Sequence, residues 1–344
     1  MSIFLYYEIV VLLLFLGLFF LIITEQLYFS NKGNYSPTVS IIIPTRGLDP
    51  EWEKNAESFK HLKYDNSYDT IYVVDSDDSS TAQVLRDAGL HVVVSTTECN
   101  KFGGKVAAQL TGLKESTGEA VVFADSDIRV SAGWLANIVG PLEKSDAVTT
   151  FSWPLPLKHT LLNMIRAGFW IIGYDSHLAA GGFLWGGSMA FKRETLDEDY
   201  RDFMRDKIYD DVTTTSYLKS KGKKISFNGK AVCYNAYDDI KFYKWASRQE
   251  MLVRRYSNRI AVGFFLFMLG LIATTIYGSI TLNPLFLSVY FLWWIKGLLT
   301  SIRIEKVSFL IPAVSIVSSV IAFFILLVTL TKKQTEWRDH TYRF

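Results

Sequence analysis

Long apolar runs lie near both ends of the chain. Residues 9–24 read IVVLLLFLGLFFLIIT without a charge, and the apolar run reaches back past Glu8 to Ile3. This length is enough for one membrane-spanning helix. A cleaved secretory signal would need a basic stretch before the run and a small-residue cleavage site after it, and neither is present. The pattern therefore predicts an uncleaved transmembrane anchor over residues 1–26.

A longer apolar block begins after Arg259. It holds no charge until Lys296 and is interrupted at Pro284, so one helix cannot account for it. A further uncharged run follows the short loop RIEK. Three helices are predicted, over residues 260–281, 285–301 and 307–331. They form a C-terminal transmembrane region over residues 260–331, followed by a polar tail at 332–344.

The flanking Lys and Arg residues favour a cytoplasmic position for the central domain. Four spans would then place the basic tail outside, against the positive-inside rule. Two explanations stay open: a miscounted span, such as a re-entrant pair around Pro312, or a weak charge bias. Cys99 and Cys233 lie far apart and in no metal-ligand spacing, which is typical of free thiols in a reducing compartment.

Between the apolar ends, residues 35–240 alternate short β-branched runs with helical patterns. Runs that are apolar throughout suit strands buried on both faces of a parallel sheet. Strands are predicted at residues 39–43, 70–74, 91–94, 120–124 and 147–151. The segment STAQVLRDAG suits a crossover helix with Ser79 or Ser80 as its cap and Gly89 at its end. The fold class is therefore α/β, with a mostly parallel, Rossmann-like sheet.

Polar residues follow the predicted strands at their carboxyl ends, where open α/β sheets bind ligands. One strand leads into Asp75, and another leads into Asp125 and Asp127 in the segment VVFADSDIRV. Carboxylates are oxygen ligands for a divalent cation, which would screen the charge of a nucleotide diphosphate. A lone D-x-D is also common turn chemistry, so its position after a buried strand is what favours a site.

Two further segments carry candidate chemistry. Gly103, Gly104 and Lys105 lead into a predicted helix, where a glycine pair allows close approach of a ligand and the lysine offers a cation to a phosphate. The alternative is a glycine turn with a solvated lysine. Asp210 and Asp211 precede another helix and can be either capping residues or a general base for an acceptor hydroxyl.

Residues 241–259 form a basic amphipathic helix next to a membrane span. Apolar residues recur at helical spacing on one face, and Lys and Arg residues border it. Such a helix is typical of a lipid surface. The net charge of +2 and the absence of a basic patch with interleaved aromatics elsewhere give no indication of a nucleic-acid partner. No obligatory protein partner is inferred.

Six segments together resemble a family 2 glycosyltransferase of the GT-A fold, closest to the ceramide glucosyltransferase group. They occur in the family's order over residues 38–260, and the flanking spans match that group's arrangement. The segments are VSIIIPTRGLDPEWEKNAESF, VVDSDDSS, GGKVAAQLTGL, VVFADSDIRV, LWGGSMAFKRETL and YDDVTTTSYLKSKGKKISF. The resemblance implies a metal-dependent, inverting transfer of a hexose from a UDP-sugar to a membrane lipid hydroxyl.

The resemblance also implies residue roles. Asp211, within the acidic pair that it forms with Asp210, would be the base, and Asp127, assisted by Asp125, would hold Mn²⁺ or Mg²⁺. The remaining residues would bind the donor: Asp75, Lys105, Asp125, Gly186, Gly187, Arg255 and Tyr256. The closing motif departs from the family, because Leu252 stands where Gln or Arg is expected and Tyr256 stands for Trp.

Three other functions stay open at this point. A processive polysaccharide synthase of the same fold would need a translocation channel and usually more spans. A transferase acting on a polyprenyl phosphate would give a product labile to mild acid. A non-catalytic scaffold would bind nucleotide or lipid without turnover, and the retained carboxylates argue against it.

Overall fold

The computed structural model describes residues 3–30, 33–96, 103–238, 241–304, 311–332, 334–337 and 340–343. The chain divides into two compact units. We call residues 27–153 and 181–236 the α/β unit, and residues 1–26, 154–180 and 237–344 the helical unit. Cys99 lies outside the described residues, and Cys233 is a buried free thiol.

The helices are α1 Ile3–Ser30, α2 Trp52–Lys60, α3 Ser79–Asp87, α4 Gly104–Glu115, α5 Trp134–Val139, α6 Leu161–Ala180, α7 Glu198–Met204, α8 Asp211–Ser220, α9 Phe242–Tyr256, α10 Asn258–Ile280, α11 Leu287–Arg303 and α12 Ile311–Thr329. The strands are β1 Val39–Thr45, β2 Tyr68–Val74, β3 Val92–Val94, β4 Ala120–Ala124, β5 Ile128–Val130, β6 Ala147–Thr149, β7 Ser152–Pro156, β8 Ser188–Lys192, β9 Ile225–Phe227, β10 Cys233–Tyr237, β11 Gln334–Trp337 and β12 His340–Arg343.

The main sheet of the α/β unit has seven strands among the described residues, in the order β3-β2-β1-β4-β8-β6-β9. Strand β1 pairs in parallel with β2 and β4, β2 with β3, and β6 with β9. Strand β8 runs antiparallel to both β4 and β6. The predicted α/β fold with a mostly parallel sheet is therefore confirmed, and β8 supplies the exception.

Both faces of this sheet are buried, which explains the continuous apolar runs. On β1, Ile41 and Ile43 pack into one hydrophobic core, whereas Ile42 packs into the core on the other face. Strand β4 alternates in the same way, with Val122 in the first core and Phe123 in the second. A strand covered on both faces needs apolar side chains at every position.

The cap of α3 corrects the sequence analysis. Neither Ser79 nor Ser80 caps the helix, because the side chain of Asp78 accepts the hydrogen bond from the Thr81 amide at 3.3 Å. The same carboxylate accepts from the Gly47 amide at 2.7 Å, so Asp78 joins the helix to the loop after β1. A carboxylate near a helix N-terminus is also favoured by the helix dipole.

The helical unit contains helices long and apolar enough to cross a membrane. Among the described residues there are four, Ile3–Ser30, Asn258–Ile280, Pro284–Arg303 and Pro312–Thr329. The second and third of these helices begin and end within a few residues of the predicted spans 260–281 and 285–301. The first continues four residues beyond the predicted anchor, to Ser30. Residues 307–310 of the predicted third C-terminal helix lie outside the described residues, and α12 is described from Ile311.

Helix α9 packs part of its apolar face against protein. The Phe169 ring of α6 makes edge contacts with Phe242 and Trp245, at centroid distances of 5.9 and 5.3 Å. The Arg166 guanidinium lies over the Trp245 ring at 4.6 Å. Phe242 and Trp245, on the apolar face of α9 that the sequence predicted to lie on lipid, therefore pack against α6.

Candidate active site

The carboxyl ends of three neighbouring strands carry charged side chains. Strands β2, β1 and β4 are adjacent and parallel, so their ends meet at one edge of the sheet. Arg46 follows β1, Asp75 follows β2 and Asp125 follows β4. Arg46 donates to the Asp75 carboxylate at 2.7 Å, and its other terminal nitrogen reaches Asp77 at 3.2 Å.

Lys105 is the centre of the cluster. Its ammonium group lies 2.6 Å from the Asp125 carboxylate and 2.8 Å from the Asp210 carboxylate. It also donates to the Gly186 carbonyl at 3.3 Å. Helix α4 brings Lys105 to this place because it starts at Gly104, immediately before the lysine. One side chain thus joins three segments that are far apart in the sequence.

Asp210 and Asp211 stand at the start of α8, as predicted. Asp210 is buried, and its carboxylate accepts a hydrogen bond from the side-chain amide of Gln109 at 2.9 Å. The Asp210 side chain makes no capping hydrogen bond to α8. The Asp211 carboxylate accepts from the Val212 amide at 2.7 Å. The two carboxylates therefore have different partners, one tied to α4 and one to its own helix.

Glycines let the backbone approach these carboxylates. A Cβ atom on Gly186 would lie 3.1 Å from a carboxylate oxygen of Asp211, and one on Gly104 would lie 3.2 Å from Asp75. The Gly187 carbonyl accepts from the Asp125 amide at 3.1 Å, and a Cβ there would meet the Ser152 hydroxyl at 2.8 Å. Side chains larger than hydrogen would crowd the site at all three positions.

The cluster shifts the protonation of its members. Burial, reinforced by the charge of Asp210, raises the pKa of Asp211 to about 7. Burial raises the pKa of Asp125 to about 6, with Lys105 opposing the shift and the carboxylates of Asp127 and Asp210 adding to it. Burial alone would lower the pKa of Lys105, but Asp125 and Asp210 outweigh it and raise that pKa.

The predicted site residues therefore divide into two groups. Asp75, Lys105, Asp125, Asp127, Gly186, Gly187, Asp210 and Asp211 all belong to the α/β unit. Arg255 is an exposed residue of α9 in the helical unit, and the side chain of Tyr256 lies outside the described residues. The structure brings the first group together in one unit, and the roles of both groups stay predictions.

Two residues of the cluster escaped the sequence analysis. Gln109 lies four positions after Lys105 on α4, so both side chains project from one helix face, and both reach Asp210. The signal available in the sequence was the four-residue spacing between Lys105 and Gln109. Arg46 follows β1 within the segment PTRG, and its position at a strand end could have indicated a partner for Asp75.

The family comparison covers this cluster and both apolar ends. The model of glycosyl transferase family 21 matches residues 9–344. The chain belongs to this family. Its reaction class is therefore glycosyl transfer, and the resemblance to glycosyltransferases found in the sequence is confirmed at that level. A search among curated proteins finds no match for the family 21 chain.

The chain is similar to two solved glycosyltransferase structures, of which one is close enough in shape to bear on the fold. The mannosyltransferase PcManGT from Pyrobaculum calidifontis, in complex with GDP-Man and Mn²⁺, is 19% identical with a TM-score of 0.50, over 92% of this chain and 99% of that chain. Glucosyl-3-phosphoglycerate synthase from Mycobacterium tuberculosis, with Mn²⁺, UDP and phosphoglyceric acid, is 18% identical with a TM-score of 0.41, over 64% of this chain and 79% of that chain. The first of these supports the predicted GT-A architecture.

Replacing Gly186 by alanine tests the close approach to Asp211. The added Cβ would lie 3.1 Å from a carboxylate oxygen, so the carboxylate must shift by a few tenths of an ångström. With Asp211 as the predicted base, we expect transfer to fall about tenfold, since misplacement of a reacting group by 1 Å can cost about 100-fold. The measurement is the rate of sugar transfer by purified variants. Gly263→Ala is the control, because its Cβ meets nothing within 4 Å; equal rates for both variants would contradict the prediction.

Proposed function

We propose that this family 21 glycosyltransferase is a membrane-bound, inverting enzyme that moves a hexose from a nucleotide sugar to a lipid hydroxyl. A UDP-sugar is the expected donor, as in the ceramide glucosyltransferase group that the sequence resembles. The observation that carries the proposal is the contact of Lys105 with both Asp125 and Asp210. It joins the segment expected to bind the donor to the segment expected to hold the base.

The proposed reaction is a single displacement. The acceptor hydroxyl oxygen attacks the anomeric carbon of the sugar, the bond to the nucleoside diphosphate breaks, and Asp211 takes the hydroxyl proton. The configuration at the anomeric carbon inverts because the attack comes from the face opposite the leaving group. A carboxylate with a pKa of about 7 suits this role, since a general base works best when its pKa is near the working pH.

The other residues of the cluster would bind and orient the donor. Asp75 would contact the nucleoside, with Arg46 holding its carboxylate in place at 2.7 Å. Lys105 would lie beside the diphosphate, and Gly186 and Gly187 would border the sugar. Each assignment follows the resemblance residue by residue, and the shared sheet edge supports it.

The donor set suits a divalent cation of the Mn²⁺ or Mg²⁺ class. Asp125 and Asp127 would offer carboxylate oxygens to the cation, and their mutual repulsion contributes to the raised pKa of Asp125. No group of three or more His, Cys, Asp or Glu side chains is arranged for a metal in the part of the chain that the structure describes. Mg²⁺ is commonly held by one or two carboxylates together with substrate phosphates, so these two residues would suffice. When bound, the cation would neutralise charge on the leaving diphosphate.

The apolar helices of the helical unit support a lipid acceptor. An enzyme anchored in a bilayer meets its acceptor at the membrane surface without a soluble carrier. Lys and Arg residues are in excess around α9 and after α11. By the positive-inside rule, this excess favours a cytoplasmic location for these segments. We therefore propose a cytoplasmic catalytic domain that acts on a sphingolipid-type or diacylglycerol-type hydroxyl.

Transfer of radiolabel from a panel of UDP- and GDP-sugars tests this function. Membranes containing the chain are incubated with each donor, and label is counted in the organic-extractable lipid and in insoluble polymer. We expect label in the lipid fraction with one donor, and its loss with EDTA and in Asp127→Ala. Excess Mn²⁺ should restore the EDTA-treated enzyme but not the variant.

The outcomes separate the proposed function from its rivals. Label only in polymer would indicate a processive synthase, and a product labile to mild acid would indicate a polyprenyl phosphate acceptor. Failure of every donor, together with no metal-dependent UDP or GDP binding by calorimetry, would contradict the proposal and favour a scaffold. Full activity in EDTA would contradict the metal requirement alone.

A further inference from the structure

The helical unit has two ends that its side-chain contacts define. At one end, the Tyr7 hydroxyl of α1 donates to the Asn283 carbonyl and accepts from the Phe286 amide, in the turn between α10 and α11. We call this the turn end. At the other end, Glu25 of α1 pairs with Arg303 at 3.3 Å and accepts from Thr300 at 2.7 Å, in the last turn of α11. We call this the open end, where α10 begins.

Helix α12 starts near the open end. A Cβ on Gly297 would lie 2.6 Å from the Pro312 side chain, so the first turn of α12 touches α11 at this glycine. Gly297 is six residues before Arg303, the last residue of α11. At 1.5 Å per residue, the contact lies about 9 Å from the helix end. The turn end of α11 is farther away, at Leu287.

The last turn of α12 also lies near the open end. The Arg254 guanidinium of α9 donates to the Thr329 carbonyl at 2.6 Å and to the Lys332 carbonyl at 3.0 Å. Arg254 is four residues before Asn258, where α10 begins. Between its ends, α12 stacks Phe323 on Phe265, which is seven residues, or about 10 Å, after the start of α10.

A spanning helix must have its ends on opposite sides of the membrane. Helices α10 and α11 form an antiparallel hairpin, so the start of the first and the end of the second share one side. The first turn of α12 contacts α11 about 9 Å from that side and its last turn lies beside the start of α10, although the helix has 19 residues and a length of about 28 Å. Its axis must therefore run across the hairpin, not along it.

We propose that α12 does not cross the membrane but lies within the leaflet at the open end, with its exposed face against acyl chains. That face carries Val317, Val320, Phe324 and Val328, which are 53, 37, 57 and 54% exposed. Their spacing of three, four and four residues is one stripe of a helix. Other positions pack on protein, as where the Ser318 hydroxyl donates to the Ile165 carbonyl of α6 at 2.8 Å.

The charges around α12 fit this placement. Arg255 follows Arg254, which contacts the C-terminal end of α12, and Arg259 lies in the first turn of α10. Both are exposed, and Lys332 follows α12, a pattern suited to lipid headgroups. The described residues then contain three spans, α1, α10 and α11, and the tail after α12 lies on the side of α9. The conflict between a basic tail and the positive-inside rule disappears, because the tail joins the other basic segments.

Cysteine labelling from one side of a sealed membrane tests the proposal. Single cysteines are placed at Thr331, at Lys241 before α9 and at Leu282 in the α10–α11 turn, all exposed positions. The background carries Cys99→Ser and keeps the buried Cys233. With a membrane-impermeant maleimide, we expect Thr331→Cys to be labelled from the same side as Lys241→Cys and from the side opposite to Leu282→Cys.

Labelling of Thr331→Cys from the side of Leu282→Cys would overturn the proposal, because it would make α12 a fourth span. If Thr331→Cys resists the reagent on both sides, a peptide tag fused after Phe344 decides by protection from protease in the same vesicles. A tag cleaved from the side of Lys241 supports an in-leaflet helix, and a tag cleaved from the side of Leu282 rejects it. Neither readout depends on enzyme activity, so the result stands apart from the proposed function.

Discussion

Replacing Asp211 by asparagine is expected to lower the rate of sugar transfer about 1000-fold, within the range of about 10²–10⁴ that positioned bases contribute. Asparagine keeps the size of the side chain but cannot accept the hydroxyl proton. Asp211 sits beside Gly186, where little space is left, so a residue of equal size avoids a packing change. Binding of the nucleotide should be retained, because the proposed donor contacts lie on Asp75, Lys105 and Asp125.

The measurement is single-turnover transfer together with calorimetry of UDP or GDP in the presence of Mn²⁺. Asp202→Asn provides the matched control, since Asp202 is an exposed residue of α7 that pairs with Arg205, three residues later, at 3.3 Å. The control should keep the wild-type rate. Asp211→Asn turnover within tenfold of wild type would remove Asp211 as the base, and loss of nucleotide binding would make it a donor ligand.

The sheet edge was predictable from sequence because parallel strands obey a simple geometric rule. Apolar runs identified β1, β2 and β4, and the polar residue that follows each parallel strand must lie at the same edge. Asp75 and Asp125 were found in this way without any tertiary contact. The exception is β8, which runs antiparallel to β4 and β6 and was not among the strands predicted from the sequence.

Side-chain partners were less accessible because they depend on rotamers and on segments far apart in the chain. The sequence offered Lys105 as a cation for a phosphate, but its contacts with Asp125 and Asp210 require α4 and α8 to be placed first. The predicted cap of α3 was wrong for a similar reason, since the Asp78 carboxylate also accepts a hydrogen bond from the backbone amide of Gly47. Hydropathy likewise predicted the length of α12 but gave no information on how its axis is oriented relative to the other helices.

Replacing Lys105 by methionine is expected to weaken both donor binding and folding. The substitution keeps the length of the side chain and leaves Asp125 and Asp210 without the cation between them. Removing one partner of a fully buried pair costs about 3–5 kcal/mol. Since Lys105 and Asp125 retain 22 and 33% exposure, we expect about 2 kcal/mol of lost stability and a fall in Tm of about 4–8 °C.

Donor affinity should fall about 10- to 100-fold in the same variant, because a hydrogen bond to a charged group is worth about 1.5–3 kcal/mol. Thermal unfolding and nucleotide titration measure the two effects. Lys114→Met, at the exposed C-terminal turn of the same helix, should change neither. Unaltered affinity with a lowered Tm would make Lys105 a structural residue only. The contrast with Asp211→Asn is decisive for the site, because one variant should bind the donor more weakly while the other should bind it normally and transfer its sugar far more slowly.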